Sequence, residues 1–265
     1  MSAATLAWRR DVALAAHQVR YEQRSFWRNR RRSISNIAFP LMFLVVFGGL
    51  QHGERIGARH DLPFIDFYVP GIVAYSIMVL AFGNLAIAVA AARTNGLLKR
   101  LRPTPLPDWA YVVGIVGSTL LAVAIASALL LAIGVAGYGA HLRLATLPGL
   151  LLTAVLGTVA FATLAIGISA RISSPDSAAP LLAIVTLPMS FISDVFFPLT
   201  GAPHWLTDVA RSLPLRPLAD GLAAAFDPRT HGAGLQGADL RTLAIWCIIG
   251  GVMMVRSLGA LSARD

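Results

Sequence analysis

The chain is predicted to be an all-α membrane protein with six transmembrane helices, an N-terminal amphipathic interface helix and an outer re-entrant helix pair. Three observations carry this. Six stretches, at 33–53, 67–92, 109–142, 144–170, 177–193 and 242–255, contain no Asp, Glu, Lys or Arg. A bilayer core of about 30 Å takes roughly 20 apolar residues in a helix, so four of the stretches are ample and the last two are short. With 265 residues, 56% of them hydrophobic and 13% charged, the chain has too little polar surface to cover a soluble globule. Finally, counting six spans from an inner N-terminus puts 15 of the 22 basic residues inside and 8 of the 13 acids outside, leaving the inner side at +10 and the outer at −1. The positive-inside rule then sets both termini in the cytoplasm, and the net charge of +9 orients the protein rather than binding nucleic acid.

Residues 1–33 form a cytoplasmic interface segment. Trp8, Val12, Ala15 or Ala16, Val19 and Phe26 recur at helical spacing, with Arg9, Arg10, Gln18, Arg20, Gln23 and Arg24 on the other faces. Trp27 and the basic run at 28–32 suit anionic lipid, so anchoring and partner docking are both open. The segment is too polar and too long for a signal-peptide n-region, so no cleavage is expected and span one is an anchor.

The membrane-spanning body is expected over 34–265. Span one, about 34–50, carries Pro40, which neighbouring helices make tolerable. Span two, about 68–92, starts at Pro70 and Gly71 and holds Ser76 and Asn84, polar residues that bond neighbouring helices. Spans three (about 110–136) and four (about 147–170) are rich in Ala, Gly, Ser and Thr, which permit close helix approach. Span five, about 178–197, contains Pro180 and Pro188 and is expected to bend or unwind. Within 198–239, Trp205, Leu206, Val209 and Leu213 fit one short amphipathic helix, and Leu218, Leu222 and Phe226 another. They read as a pair dipping into the outer leaflet, with ordinary interfacial helices as the alternative. Span six is the weakest, with 14 residues between Arg241 and Arg256, but extends to 240–261 if Arg256 snorkels.

Catalytic chemistry is missing from the pattern. Lys99 is the only lysine and follows Leu98, so no phosphate loop of the G-x-x-x-x-G-K type exists. Neither H-E-x-x-H, C-x-x-C nor G-x-S-x-G occurs, and Cys247 is the only cysteine. The expected spans hold one acid, Asp194, near the outer end of span five. It reads either as the ion-binding group of a secondary carrier or as a loop-orienting carboxylate.

The inner loop at 93–107 says most. Leu97, Leu98 and Leu101 set against Arg93, Lys99, Arg100 and Arg102 make a short amphipathic helix, and Pro103, Pro105 and Pro107 stop it rigidly. A solvated basic turn needs neither the leucines nor the prolines. The element looks built to push on a partner.

That loop, R-T-N-G-L-L-K-R-L-R-P-T-P-L, resembles the R-x-x-G-x-x-[KE]-x-L-x-x-T-P-L signature of permease subunits of ABC-2 type exporters. A second segment, Phe196-Phe197-Pro198-Leu199, then Pro203-His204-Trp205-Leu206 and Leu213-Pro214-Leu215-Arg216-Pro217, is similar to the family's F-P-L…P-x-W-L…P-x-x-P stretch after span five. The resemblance, which takes in daunorubicin-type exporter permeases, implies a half-transporter in a bacterial inner membrane. Two such chains, identical or homologous, sit on two separate ABC ATPase subunits that hold the ATP and magnesium, with no cofactor on the permease itself. It further implies an ATPase-coupling loop through Arg93, Gly96, Leu97, Leu98, Lys99, Arg100, Leu101, Thr104, Pro105 and Leu106. An interface helix would carry Val12, Val19, Arg20 and Arg24. An outer re-entrant gate would carry Asp194, Phe197, Pro198, Pro203, Trp205, Pro214 and Pro217. Asp194 departs from the pattern, since many relatives have a small residue such as glycine there. The implied cargo is an amphipathic drug, lipid or glycolipid, with polysaccharide export as the alternative within the family. A non-transporting membrane assembly or anchoring protein is the remaining rival, one that would work without the 93–101 helix.

Overall fold

The computed structural model describes residues 3–28, 30–51, 53–56, 62–95, 108–172, 174–199 and 201–262. For 3–11, 30–33, 108, 175–176 and 258–262 it describes the backbone. The chain runs α1 (Ala3–Arg28), α2 (Arg30–Leu50), a short antiparallel pair β1 (Arg55–Ile56) and β2 (Leu62–Pro63), and α3 (Phe64–Thr94). Then follow α4 (Asp108–Tyr138), α5 (Leu147–Ser169), α6 (Pro175–Ile192), α7 (His204–Ser212), α8 (Leu215–Ala223) and α9 (Gly237–Ser262). Among the described residues α3, α4, α5 and α9 are long and apolar enough to cross a membrane, while α2 and α6 contain the shorter apolar helices Ile34–Leu50 and Ser177–Ile192.

The last stretch, expected to extend over 240–261, does lie in a 26-residue helix that continues through Arg241 and Arg256. Other elements differ from the sequence expectation, each for a local reason. α6 stops at Ile192, five residues short of the expected 197, because Asp194 adopts φ 57° and breaks the helix. The helix nonetheless runs through Pro180 and Pro188 without an assigned interruption. It starts from a capping box in which Ser174 Oγ accepts from the Ser177 N–H at 3.2 Å. α3 begins at Phe64, before the expected 68, and places Asp66 in its first turn, where the positive end of the helix dipole favours a carboxylate. It stays helical to Thr94 but passes through a π-helical segment, Val79–Asn84.

The core is built around α3, whose residues 64–78 are buried on every side, and α5. Small residues let α5 and α9 close together: a Cβ on Gly167 would lie 2.6 Å from Met253 Cβ, and one on Gly250 would strike Thr163. α4 is different. Its small residues were expected to pack within the protein rather than face lipid alone, and it does both: Gly134 receives Val69 of α3 and Gly114 and Gly117 receive α1, while Leu121, Ile125, Leu129 and Val135 are exposed. The paired short helices also divide their roles. α7 exposes Trp205 and Val209, whereas α8 buries Leu215, Leu218 and Leu222 completely against α3, α5 and α9. The apolar stripe of α8 is therefore covered by protein, not by the lipid that the sequence reading assigned to it.

Candidate functional site

At one end of the bundle α1 docks on the first half of α4. Gly114 and Gly117 lie a helical turn apart and leave a flat strip; Gln18 fills the space at Gly114, and a Cβ on Gly117 would lie 2.8 Å from Val19 Cγ2. Gln23 donates to the Ser118 carbonyl at 2.8 Å, tying the two helices across 95 residues of sequence. Of the interface residues, Val19 thus faces the protein, while Val12, Arg20 and Arg24 are exposed. Arg93, at the C-terminal end of α3, donates to the Ser169 carbonyl at 3.1 Å. The rest of the expected coupling loop, Gly96, Leu97, Leu98, Lys99, Arg100, Leu101, Thr104, Pro105 and Leu106, lies outside the described residues.

Glu22 sits in this docking surface and accepts from the Gln18 amide at 3.1 Å. Burial pushes its carboxyl above the ordinary range, and the Gln18 contact pulls it partway back. The folded chain then holds the Glu22 proton more tightly than the unfolded one, so α1 docking is strongest at low pH and weakens as pH rises from the ordinary glutamate pKa through the raised value. Amide protection along α1, corrected for the intrinsic pH dependence of exchange, should fall over that interval and stay level in Glu22→Gln; an unchanged fall in the variant would place the titration elsewhere.

The opposite end is built on an ionic and aromatic cluster. Asp194, 5% exposed, pairs with Arg216 Nη2 at 3.0 Å, and Arg216 Nε donates to Asp220 at 2.7 Å. The other Asp194 oxygen accepts from the Leu199 N–H and closes the turn after α6. Asp194 is the only non-glycine residue with positive φ among the described residues, which gives a physical reason for glycine to suit this position in similar chains. Phe196 packs on Phe43 and Tyr75 with ring centroids 5.5 and 5.1 Å apart, and Phe197 meets Phe47 edge-on at 6.1 Å. At Gly71 the α3 backbone comes so close that an added Cβ would strike the Val195 carbonyl oxygen.

The structure thus brings Asp194 and Phe197 together with Arg216. Pro198 follows in the same turn, and Pro214 and Pro217 are buried at the start of α8. Pro203, at the N-cap of α7, and Trp205 stand apart at the surface; α7 is tethered instead by Trp246 Nε1, which donates to the Ser212 carbonyl at 2.8 Å.

Sequence reasoning missed three groups here. The Arg216–Asp220 pair was legible as an i,i+4 spacing. Asp66, 4% exposed, accepts from the His141 backbone N–H at 2.8 Å and contacts its Nδ1 at 3.0 Å, a link between the first turn of α3 and the loop after α4 that no spacing announces. Arg143 donates to the Pro228 and Thr230 carbonyls at 3.0 and 2.7 Å. No group of three or more His, Cys, Asp or Glu able to hold a metal occurs among the described residues.

Comparison with known proteins agrees with this architecture. The chain is similar to the inner membrane transport permease YadH of Escherichia coli (strain K12), at 26% identity over 187 residues, covering 70% of this chain and 71% of the relative. The YadH permease of Shigella flexneri matches to the same extent. A family model described as ABC-2 type transporter matches residues 17–226, from the docked face of α1 to the end of the α8 region. With helices long and apolar enough to cross a membrane and a family match over most of its length, the chain belongs to the ABC-2 type transporters.

Proposed function

We propose that the chain is the transmembrane permease subunit of an ATP-driven exporter in a bacterial inner membrane, with six spans and both termini in the cytoplasm. α2 and α6 complete the six with the four long helices. Two copies, or one copy with a homologous chain, sit on two ABC ATPase subunits that hold the ATP and magnesium. The observation that carries this reading is the fixed docking of α1 on α4, which leaves Val12, Arg20 and Arg24 exposed at the end where the 93–106 loop leaves α3. Two amphipathic elements at one end of a chain without a phosphate loop are what a partner ATPase would grip. Its closure would press on the coupling helix and rock the bundle, and α7, α8 and the Asp194 turn would form the outer re-entrant gate. The exposed apolar faces of α2 and α6 and the scarcity of buried acids suit an amphipathic drug, lipid or glycolipid as cargo.

A secondary carrier using Asp194 is disfavoured on physical grounds. A coupling carboxylate must take up and release its ion, whereas both oxygens of Asp194 are engaged, one by Arg216 and one by the Leu199 N–H.

The test is a pull-down from native membranes. An ATPase subunit is expected to co-purify with the wild type and to be lost from the Leu97→Asp, Arg100→Glu double variant. Failure to find an ATPase with either protein would remove the energy source from this reading.

A further inference from the structure

Between α1, the C-terminal third of α3 and the first half of α4 lies a cleft of about 480 Å3. That volume falls in the range of drug-sized ligand sites. Its walls are mixed: Phe26, Leu80, Val89 and Ile115 give it an apolar seat, while Glu22 and Asn84 add polar groups. The π-helical segment of α3 supplies both Leu80 and Asn84. Such segments interrupt a helix at some cost and occur mostly at functional sites, so the widened turn is a second sign of a built cavity.

The charge of the cleft is one-sided. Among the described residues that line it, Glu22 and Tyr111 are the only ionisable ones, and none is Lys, Arg or His. Arg93 is turned to the Ser169 carbonyl, and Arg20 and Arg24, two residues either side of Glu22, lie on exposed faces of α1. The carboxylate thus stands in a partly apolar cavity with an amide, Gln18, as its hydrogen-bond donor and no cation among the described lining residues.

We propose that this cleft binds a monocationic amphiphile, an amine or quaternary ammonium on an apolar body of drug size, with Glu22 as its counter-charge. The ammonium restores the charge balance that burial denies Glu22, and the aromatic rings of Phe26 and Tyr111 add cation–π attraction. A phospholipid headgroup fits poorly, because its phosphate would face the carboxylate with no basic side chain among the described lining residues to receive it. Binding here is a property of the single chain; that the bound cation is also exported rests on the permease reading.

The test uses the purified full chain in phosphatidylcholine nanodiscs, without ATPase, and reads ethidium binding by fluorescence anisotropy. Saturable binding is expected for the wild type, weakened roughly ten-fold or more in Glu22→Gln, with the neutral dye N-phenyl-1-naphthylamine unaffected by the change. Ala88→Trp, at an exposed lining residue, should block both dyes. Wild-type ethidium affinity in Glu22→Gln overturns the proposal; if that variant does not fold, wild-type affinity in Ala88→Trp overturns it equally. Ethidium binding by a chain that captures no ATPase would sink the exporter reading and leave the cleft standing. Absent binding by a chain that does capture one would do the reverse.

Discussion

Arg216→Met is expected to lower the apparent Tm of the detergent-solubilised protein by roughly 10 °C, the largest loss of any single change outside the loop at 93–106. Arg216 is 12% exposed and joins Asp194, 5% exposed, to Asp220. Removing one partner of a buried pair leaves a desolvated charge, which costs about 3–5 kcal/mol, whereas removing both can be nearly neutral. The Arg216→Met, Asp194→Asn double variant should therefore recover part of the loss. Asparagine also tolerates the left-handed backbone and keeps an oxygen for the Leu199 N–H, so Asp194→Asn alone should cost less than Asp194→Ala, which loses both. A melting midpoint for Arg216→Met equal to the wild type's would mean that the pair is hydrated and that α8 is held to the Asp194 turn by apolar contacts alone.

The second large effect is steric. Gly71→Ala places a methyl group where the Val195 carbonyl oxygen sits, and neither backbone can yield by rotating a side chain. Alanine is ordinarily the better helix former by about 0.5–1 kcal/mol, so at a roomy glycine the exchange is neutral or stabilising. Gly251, where a Cβ meets nothing within 4 Å, is such a position and serves as the control. At Gly71 overpacking of roughly 1–3 kcal/mol should outweigh the gain and push the 193–197 turn, with Phe196, off α3. Cysteine-accessibility labelling at Val195 reports this directly. It should rise sharply in Gly71→Ala and stay low in Gly251→Ala, and equal labelling in the two would refute the backbone contact.

Where helices lie was largely readable from the sequence, because a charge-free apolar run has few other conformations in a bilayer. What covers each helix was not. Leu218 and Leu222 show the same spacing whether lipid or protein lies against them, so the sequence could not tell that the apolar stripe of α8 is covered by α3, α5 and α9. The small residues of α4 announced close helix packing but not the partners, which are α1 at Gly114 and Gly117 and α3 at Gly134. Asp66 was assigned to a loop because a hydropathy boundary cannot see a helix that starts before the apolar run. The π-helical turn has no compositional signature at all, and with it the cleft beside Glu22 was invisible. Arg216 lay inside a motif segment, but only the fold shows that it reaches across to Asp194.

The docking of α1 on α4 also sets an order of manufacture. Gln23 is synthesised 95 residues before Ser118, its hydrogen-bond partner. At ribosomal speeds of about 5–20 residues per second, α1 waits roughly 5–20 s without the glycine strip that will receive it. During that delay its apolar stripe has only the bilayer surface to cover it. The amphipathic pattern that docks α1 on α4 in the finished protein is therefore also a parking arrangement for the nascent one, and the move from lipid to Gly114 and Gly117 becomes a late step of assembly. A substitution that glues α1 too firmly to lipid would then leave the mature contacts intact on paper while delaying the protein in reaching them.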